Sequence, residues 1–316
     1  MIRIISNLAA IAQGKGDHTE ALRLFEKACL IDRSLSQAWQ GAAQSAIHLG
    51  FWDTAIKHCN EAVKGGCKPK GIYVLRGIAY QAKAEFENAL ESYSCERIQH
   101  PESIEAYVNA GIIYLRTNRP RQCIELMNEL IIGHPHDASA RIILGKALQS
   151  ISLWEEAIKN YKVVVLSERY DSRVALDLGL CLLAVGSDEE ALHAFLDATA
   201  REPDLAPAWG NLGNLLKKRG ELDKAEEAYN RVLAIEPDNV LAIEGIADIR
   251  RQTGRGKESI TLLKKALGLC PQDYRLHSNL GFLLAEMGSY NQAIESYERS
   301  IAINPEFPDA YLNLSL

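Results

Sequence analysis

Asparagine recurs at one register of the sequence, and its side-chain amide is suited to binding a peptide backbone. The register advances by 34 residues or a multiple of 34, and its asparagines are Asn7, Asn109, Asn211, Asn279 and Asn313. It also contains Asp177, and it is interrupted by Gly41, Leu75, Ile143 and Gly245. Because an amide both donates and accepts hydrogen bonds, a row of amides could hold an extended peptide without selecting its side chains. The alternative is that asparagine is simply common in this repeated segment.

A second set of candidate residues is basic and amide-lined, and it lies in the C-terminal third of the chain. The set comprises Asn211, Asn214, Lys217, Lys218, Arg219, Arg250, Arg251, Arg255 and Lys257. Lys217 and Arg251 are 34 residues apart, which predicts that they are neighbours on adjacent helices. Such a site would recognise an acidic peptide segment. The alternative is that these cations only complement the dipoles of helix C-termini.

The sequence contains none of the motifs that mark common catalytic or metal sites. It has no G-x-S-x-G, no Walker loop and no H-E-x-x-H. His134 and His136 flank Pro135 in a region interpreted as a solvated turn, and the acidic run at 188–190 is interpreted as the start of a helix. We therefore expect no catalytic residues, no metal ligands and no cofactor, and we do not predict an enzyme.

The elements that position these residues are pairs of short helices, which are clearest at 206–239. The apolar stripes are Trp209, Leu212, Gly213 and Leu216 in the first helix, and Ala225, Tyr229 and Val232 in the second. Gly220 is predicted to end the first helix in a left-handed conformation. Asp223 and Glu226 are predicted to cap the second helix. Pro237 prevents that helix from continuing.

This unit recurs with a period of 34 residues. The prolines that end it are Pro101, Pro135, Pro203, Pro237, Pro271 and Pro305, with Arg169 at the one missing position. The glycines of its first helix are Gly77, Gly111, Gly145, Gly179, Gly213 and Gly281. The second helix carries Ala89, Ala157, Ala191, Ala225 and Ala293, followed by Tyr93, Tyr161, Phe195, Tyr229 and Tyr297. Over essentially its full length the chain resembles the tetratricopeptide-repeat family, W-x2-L-G-x2-Y…A-x3-F…P.

The resemblance implies an all-α fold, a right-handed α-solenoid (superhelix) of stacked antiparallel helix pairs. Stacking is required because one pair cannot bury its apolar face alone. We expect the array at 2–307 and the truncated start of a tenth repeat at 308–316. The nine repeats are 2–35, 36–69, 70–103, 104–137, 138–171, 172–205, 206–239, 240–273 and 274–307. Cys67 stands in the proline position of the second repeat, where Gly65, Gly66 and Gly71 predict a flexible joint.

In this family the first helices line a concave groove that holds a peptide, and the asparagine row resembles that of the O-GlcNAc transferase superhelix. An apolar middle of the groove is predicted from Val74, Leu75, Ile78, Val108, Ile112, Ile142, Ile143, Leu176, Leu180 and Leu183. An apolar segment of a partner, or of a second copy, would occupy it. The alternative is that several of these residues pack on neighbouring first helices.

One recognition mode of the family is not expected. Arrays that grip the acidic C-terminal tails of heat-shock chaperones need lysine at the fifth position of a repeat. Here the fifth positions are Ser6, Gln40, Val74, Val108, Ile142, Leu176, Gly210, Glu244 and Ser278. None of them is lysine, so an adaptor for chaperone tails is not predicted.

Composition bears on the location and partners of the chain. The net charge of −6 gives no basic field for nucleic acid, and no apolar run is long enough to span a bilayer. The stretch 1–16 is interpreted as a first helix rather than a signal peptide. The scattered cysteines, Cys59 and Cys123 among them, are interpreted as core residues in a reducing, cytoplasmic compartment. Neither nucleic acid nor membrane is expected as a partner.

The predicted function is a protein–protein interaction scaffold that binds an extended peptide or partner protein in its groove. An alternative is the N-terminal, substrate-recruiting arm of a larger transferase. It is suggested because 309–316 resembles the last repeat of bacterial chains in which such an array precedes a glycosyltransferase domain. A third hypothesis is self-association through uncapped ends, since the tenth repeat stops within its first helix. We accordingly expect a fragment, or the N-terminal part, of a longer polypeptide.

Overall fold

Consecutive helices of the chain lie side by side in pairs. The computed structural model describes residues 2–64, 69–167 and 170–314, and in these residues it contains 19 helices and no strand. The chain divides into two compact units, Met1–Ser167 and Glu168–Leu316. Within each unit every helix contacts the helix before it and the helix after it. This arrangement is an α-solenoid, as predicted.

The first unit contains five helix pairs. They are α1 (Ile2–Gly14) with α2 (His18–Ile31), α3 (Ser36–His48) with α4 (Trp52–Lys64), α5 (Ile72–Ala82) with α6 (Phe86–Gln99), α7 (Ile104–Arg116) with α8 (Pro120–Gly133), and α9 (Ala138–Ser150) with α10 (Trp154–Val165). We call the odd-numbered members first helices and the even-numbered members second helices. Neighbouring first helices of this unit also contact one another.

The second unit contains four helix pairs and one further helix. They are α11 (Ser172–Ala184) with α12 (Asp188–Arg201), α13 (Ala206–Lys218) with α14 (Leu222–Ile235), α15 (Val240–Gln252) with α16 (Gly256–Leu269), α17 (Tyr274–Glu286) with α18 (Tyr290–Ile303), and α19 (Pro308–Leu314). In the described residues, no helix combines the length and apolar character that crossing a membrane requires.

The turn between the two helices of a pair needs one residue in the left-handed conformation. Gly220 adopts it with φ of 78°, which confirms the prediction that it ends α13. In three pairs of the first unit the corresponding residue is not glycine: Ala84, Asn118 and Ser152 have φ of 59°, 56° and 62°. Left-handed backbone costs a side-chain-bearing residue roughly 1–2 kcal/mol. The turns at Ala84 and Ser152 are therefore strained, whereas asparagine adopts this conformation more readily than other residues that carry a side chain.

An aromatic ring from the second helix fills the space beside the repeat glycine. A Cβ atom at Gly213 would lie 2.9 Å from Cε1 of Tyr229, and one at Gly245 would lie 2.6 Å from its Cζ. The buried Tyr229 ring therefore lies between its own first helix, α13, and the next one, α15. The equivalent ring of Phe25 lies against Gly41. These glycines make room for a ring, and the ring joins consecutive repeats.

The predicted cap of α14 is wrong. The helix begins at Leu222, and Glu221 occupies the cap position without a side-chain hydrogen bond. Asp223 therefore lies inside the first turn, two residues past the cap position. The carboxylate of Glu226 accepts instead from Arg250 and Arg255, the latter at 3.1 Å.

Two hydrogen bonds hold the part of the predicted flexible joint that the structure describes, which begins at residue 69. The Gly71 N–H donates to the buried carboxylate of Glu96 at 2.6 Å, and the amide of Gln40 donates to the carbonyl of Lys70 at 2.9 Å. Gly71 itself has φ of 88°. The other members of the predicted joint, Gly65, Gly66 and Cys67, lie outside the described residues, as does Arg169.

The interpretation of Cys59 and Cys123 as core residues is confirmed. Both side chains are completely buried, in α4 and α8. Burial raises the pKa of each thiol to about 12, because the thiolate would lose its hydration. Neither thiol is therefore poised to act as a nucleophile at neutral pH.

Candidate functional site

Three successive first helices of the second unit, α13, α15 and α17, border one open pocket. Its volume is about 520 Å³, which lies within the range of ligand sites. The side chains that line it include Asn214, Lys217, Leu241, Glu244, Asp248, Arg251, Asn279 and Phe282. Four predicted site residues, Asn214, Lys217, Arg251 and Asn279, are thus brought together. Equivalent repeat positions lie beside one another on these helices.

The cations of this pocket are paired with carboxylates. Nζ of Lys217 lies 3.0 Å from Oδ2 of Asp248, and the Arg251 guanidinium lies 3.1 Å from its Oδ1. Burial raises the pKa of Asp248, but the hydrogen bonds from Lys217, Arg251 and Gln252 outweigh it and hold the pKa below its usual value. The prediction that Lys217 and Arg251 are neighbours is confirmed. They do not form a free basic surface, because Asp248 lies between them.

Two further basic residues of the set, Lys218 and Arg219, are also paired. Arg251 has a second carboxylate, Glu286, at 3.5 Å. Lys218 does not line the pocket and instead pairs with Asp188 in the first turn of α12, at 2.6 Å. Arg219 pairs with Glu189 of the same turn. The acidic run at 188–190 therefore does begin a helix, and it also binds the end of α13.

Glu244 is the half-buried carboxylate of the pocket, on α15. Its Oε1 accepts from the side-chain amide of Asn279 at 2.6 Å. Burial raises the pKa of Glu244, although the positive charge of Arg275 opposes the rise. The Arg275 guanidinium itself lies 3.2 Å from Asp273. Sequence reasoning noted Glu244 only as a fifth-position residue that is not lysine, and it missed both Asp248 and Phe282.

The asparagine row divides into different environments. In the second unit the Asn211 amide donates to the carbonyl of Pro207 at 2.8 Å. Asn214, which lies one turn further along α13 and outside the row, accepts from the Tyr229 hydroxyl at 2.6 Å. Both residues border a pocket of about 320 Å³ that shares Asn214 and Leu241 with the larger one. Asn313 is half-buried on α19. Peptide binding by this row stays a prediction.

In the first unit the row contains Asn7 and Asn109. Asn7 is exposed and lines a pocket of about 610 Å³ between α1 and α3 with Gln37, Gln40 and Gln44, whereas Asn109 is half-buried on α7.

Two interruptions of the row have a packing cause. Gly41 and Gly245 occupy the row's position where the ring of the preceding second helix, Phe25 or Tyr229, fills the place of a Cβ atom. An asparagine there would collide with that ring. The register is therefore shared between polar side chains and the core, and it is not a purely groove-facing surface.

The predicted apolar groove is only partly accessible. Val74 and Ile143 are buried, with 2% and 6% of their surface exposed, so the prediction that they face the groove is wrong. Val74 lies on α5, which contacts both neighbouring first helices, α3 and α7. The remaining eight are half-buried: Leu75, Ile78, Val108, Ile112, Ile142, Leu176, Leu180 and Leu183. Leu75 and Leu176 pack against core clusters, which is the alternative interpretation.

Parts of the sequence match models of known protein families. Models described as "Tetratricopeptide repeat" match residues 2–32 and 206–239, and one described as "TPR repeat" matches 247–288 and 283–316. No protein with a curated description matches the sequence.

Solved structures resemble the chain in fold. The APC/C hetero-tetramer Cut9-Hcn1 is 16% identical with a TM-score of 0.55, and the match covers 94% of this chain and 58% of that chain. A MamA protein is 24% identical with a TM-score of 0.50, over 54% of this chain and 92% of that chain. The helix pairs, the ring-and-glycine packing and the family matches agree: the chain is a tetratricopeptide-repeat protein.

Proposed function

We propose that the protein is an interaction scaffold whose second unit binds an extended segment of a partner protein across α13, α15 and α17. The observation that supports this proposal is the open pocket bordered by all three helices. An extended segment that crosses successive first helices meets equivalent repeat positions on each helix, with different side chains at them. We also propose that this part of the chain recruits a partner and carries out no catalysis.

The pocket offers the two kinds of contact that a peptide needs. Leu241 and Phe282 line it with 69% and 41% of their surface exposed, so apolar area is available for burial. Asn214 and Asn279 supply side-chain amides beside them. Such a mixture of apolar surface and a few placed polar groups is typical of ligand sites.

The first unit offers a second, amide-rich surface that supports the same function. Asn7 shares its pocket with Gln37, Gln40 and Gln44, all of which can donate to and accept from a peptide backbone. The Gln40 amide is already engaged with the Lys70 carbonyl. The second-unit pocket adds the exposed apolar surface of Leu241 and Phe282, so we assign the principal site to the second unit.

Site-specific photo-crosslinking tests the proposal. A photoreactive amino acid in place of Leu241 is expected to form a covalent adduct with the partner in cells that express the protein. The control carries the same amino acid in place of Leu196, an apolar residue of α12 that is 46% exposed and lies outside the pocket. Adducts of equal yield at both positions, or at neither, would refute binding at this pocket.

The other functional hypotheses stay predictions. A substrate-recruiting arm of a transferase requires a catalytic domain in the same polypeptide, which sequencing beyond residue 316 tests. Self-association would appear as a molecular mass in solution above 35.0 kDa. A cytoplasmic location is tested by fractionating the source cells.

A further inference from the structure

The pocket of the second unit contains one carboxylate without a cationic partner among the described residues. Lys217 and Arg251 both lie within 3.1 Å of the Asp248 carboxylate, and Arg251 also lies 3.5 Å from Glu286. Glu244 accepts a hydrogen bond from the neutral amide of Asn279 and makes no ion pair there. The pocket and its ion-pair partners thus carry two cations against three carboxylates.

The surroundings of Glu244 do not compensate its charge. Arg275 and Lys217 both act on this carboxylate, but Arg275 is bonded to Asp273 at 3.2 Å and Lys217 to Asp248 at 3.0 Å. Burial raises the pKa of Glu244, so its ionised form is less stable in the empty pocket than in water. A cation bound beside Glu244 would remove that penalty. An anion would meet both the Glu244 charge and pairs that are already complete.

Two exposed apolar side chains flank this carboxylate. Leu241 lies one helical turn before Glu244 on α15, and Phe282 lies one turn after Asn279 on α17. Lysine and arginine have an aliphatic stem that packs on apolar surface and a charged head that seeks a carboxylate. The pocket contains both kinds of group, apolar surface and a carboxylate, that such a side chain requires.

We propose that this pocket binds a basic side chain of the partner segment, with the Glu244 carboxylate as its counter-charge and Leu241 and Phe282 against its stem. The proposal rests on the proposed function and specifies which residue the partner supplies. It reverses the charge preference that the basic residues of the sequence suggested, because Lys217 and Arg251 are already paired with Asp248.

Three capped peptides of alanine with arginine, norleucine or glutamate at the centre test the proposal. Each is titrated into the full chain while the side-chain amide NMR signals of Asn214 and Asn279 are followed. The arginine peptide is expected to bind about tenfold more tightly than the norleucine peptide, the size of effect typical of a charge-assisted hydrogen bond. Glu244→Gln, which can still accept from Asn279, is expected to abolish that difference.

Glu298→Gln is the matched control, since it makes the same charge change on an exposed residue of α18 outside the pocket. It is expected to leave the order of affinities unchanged. Equal affinities for arginine and norleucine, or tightest binding of glutamate, would overturn the basic preference and leave the proposed function standing. If no peptide shifts either amide signal, both proposals fail.

Discussion

Glycine at two nearby positions of α13 has two different surroundings. A Cβ atom at Gly213 would lie 2.9 Å from the Tyr229 ring, whereas the nearest atom to one at Gly210 is 4.0 Å away, on Val232. Both residues lie in the interior of the helix, where glycine is less favourable than alanine. Only Gly213 is therefore required by packing.

Substitutions at these two positions are expected to act in opposite directions. Gly210→Ala should raise the free energy of unfolding by about 0.5–1 kcal/mol, because it removes the conformational entropy of glycine. Gly213→Ala should lower it, since the Tyr229 ring must shift, and Gly213→Leu should lower it by about 1–3 kcal/mol. Ala191→Leu, at a completely buried position of α12, should cost a similar amount.

Denaturant unfolding of these variants provides the measurement, and Gly210→Ala serves as the control for helix propensity. If both alanine variants change stability by the same amount, the ring contact is not the reason for glycine at 213.

At the scale of the elements, the turns of the first unit contain avoidable strain. Ala84 follows α5 with φ of 59°, at the position that Gly220 holds after α13. Ala84→Gly is expected to raise the free energy of unfolding by about 0.5 kcal/mol, because relief of left-handed strain exceeds the entropy cost of glycine. Ala82→Gly, the same substitution at the last residue of α5, should lower it by about 0.5–1 kcal/mol.

Thermal unfolding of the two variants, compared with the parent chain, is sufficient to check this expectation. Destabilisation by Ala84→Gly as large as that by Ala82→Gly would show that the turn carries no strain.

The elements and part of the site could be predicted from the sequence. The 34-residue spacing placed Asn214, Lys217 and Arg251 at one pocket, because equivalent positions lie beside each other on successive first helices. The role of Asp248 could not be predicted in this way. It lies 31 residues from Lys217 and so falls between equivalent positions, where only the side-chain conformations decide the pairing.

The repeat pattern could not predict which of the groove residues are buried, for a related reason. Val74 and Val108 occupy the same repeat position, yet Val74 is buried and Val108 is half-buried. Their exposure depends on the side chains that neighbouring first helices contribute, and these differ from repeat to repeat. The pattern identifies a position on a helix but not the size of its neighbours.

At the scale of the whole molecule, the helices of each unit contact mainly helices of their own or of an adjacent pair, which implies that stability is local. In such arrays unfolding can begin in one repeat without involving distant ones. Buried cysteines lie at several points of the first unit: Cys29 in α2, Cys59 in α4 and Cys123 in α8. Gly41→Leu, which collides with Phe25 between α2 and α3, is expected to speed the labelling of Cys29 and Cys59 more than that of Cys123.

Labelling of the native chain with a thiol reagent, resolved residue by residue by mass spectrometry, measures these rates. Exposed Cys270 should react first in both the parent chain and the variant and serves as the internal reference. An equal acceleration of all three buried thiols would indicate that the first unit opens in a single cooperative step.

The Tyr229 ring also limits how such a chain can change its length by gene duplication. If 206–239 were copied in tandem, the helix following Tyr229 would be a second α13, and Asn211 would stand where Gly245 now stands. Its Cβ atom would need the space that the ring occupies, 2.6 Å away. The repeats are equal in length but are not interchangeable, so an added repeat must be accompanied by a neighbouring repeat whose side chains fit it.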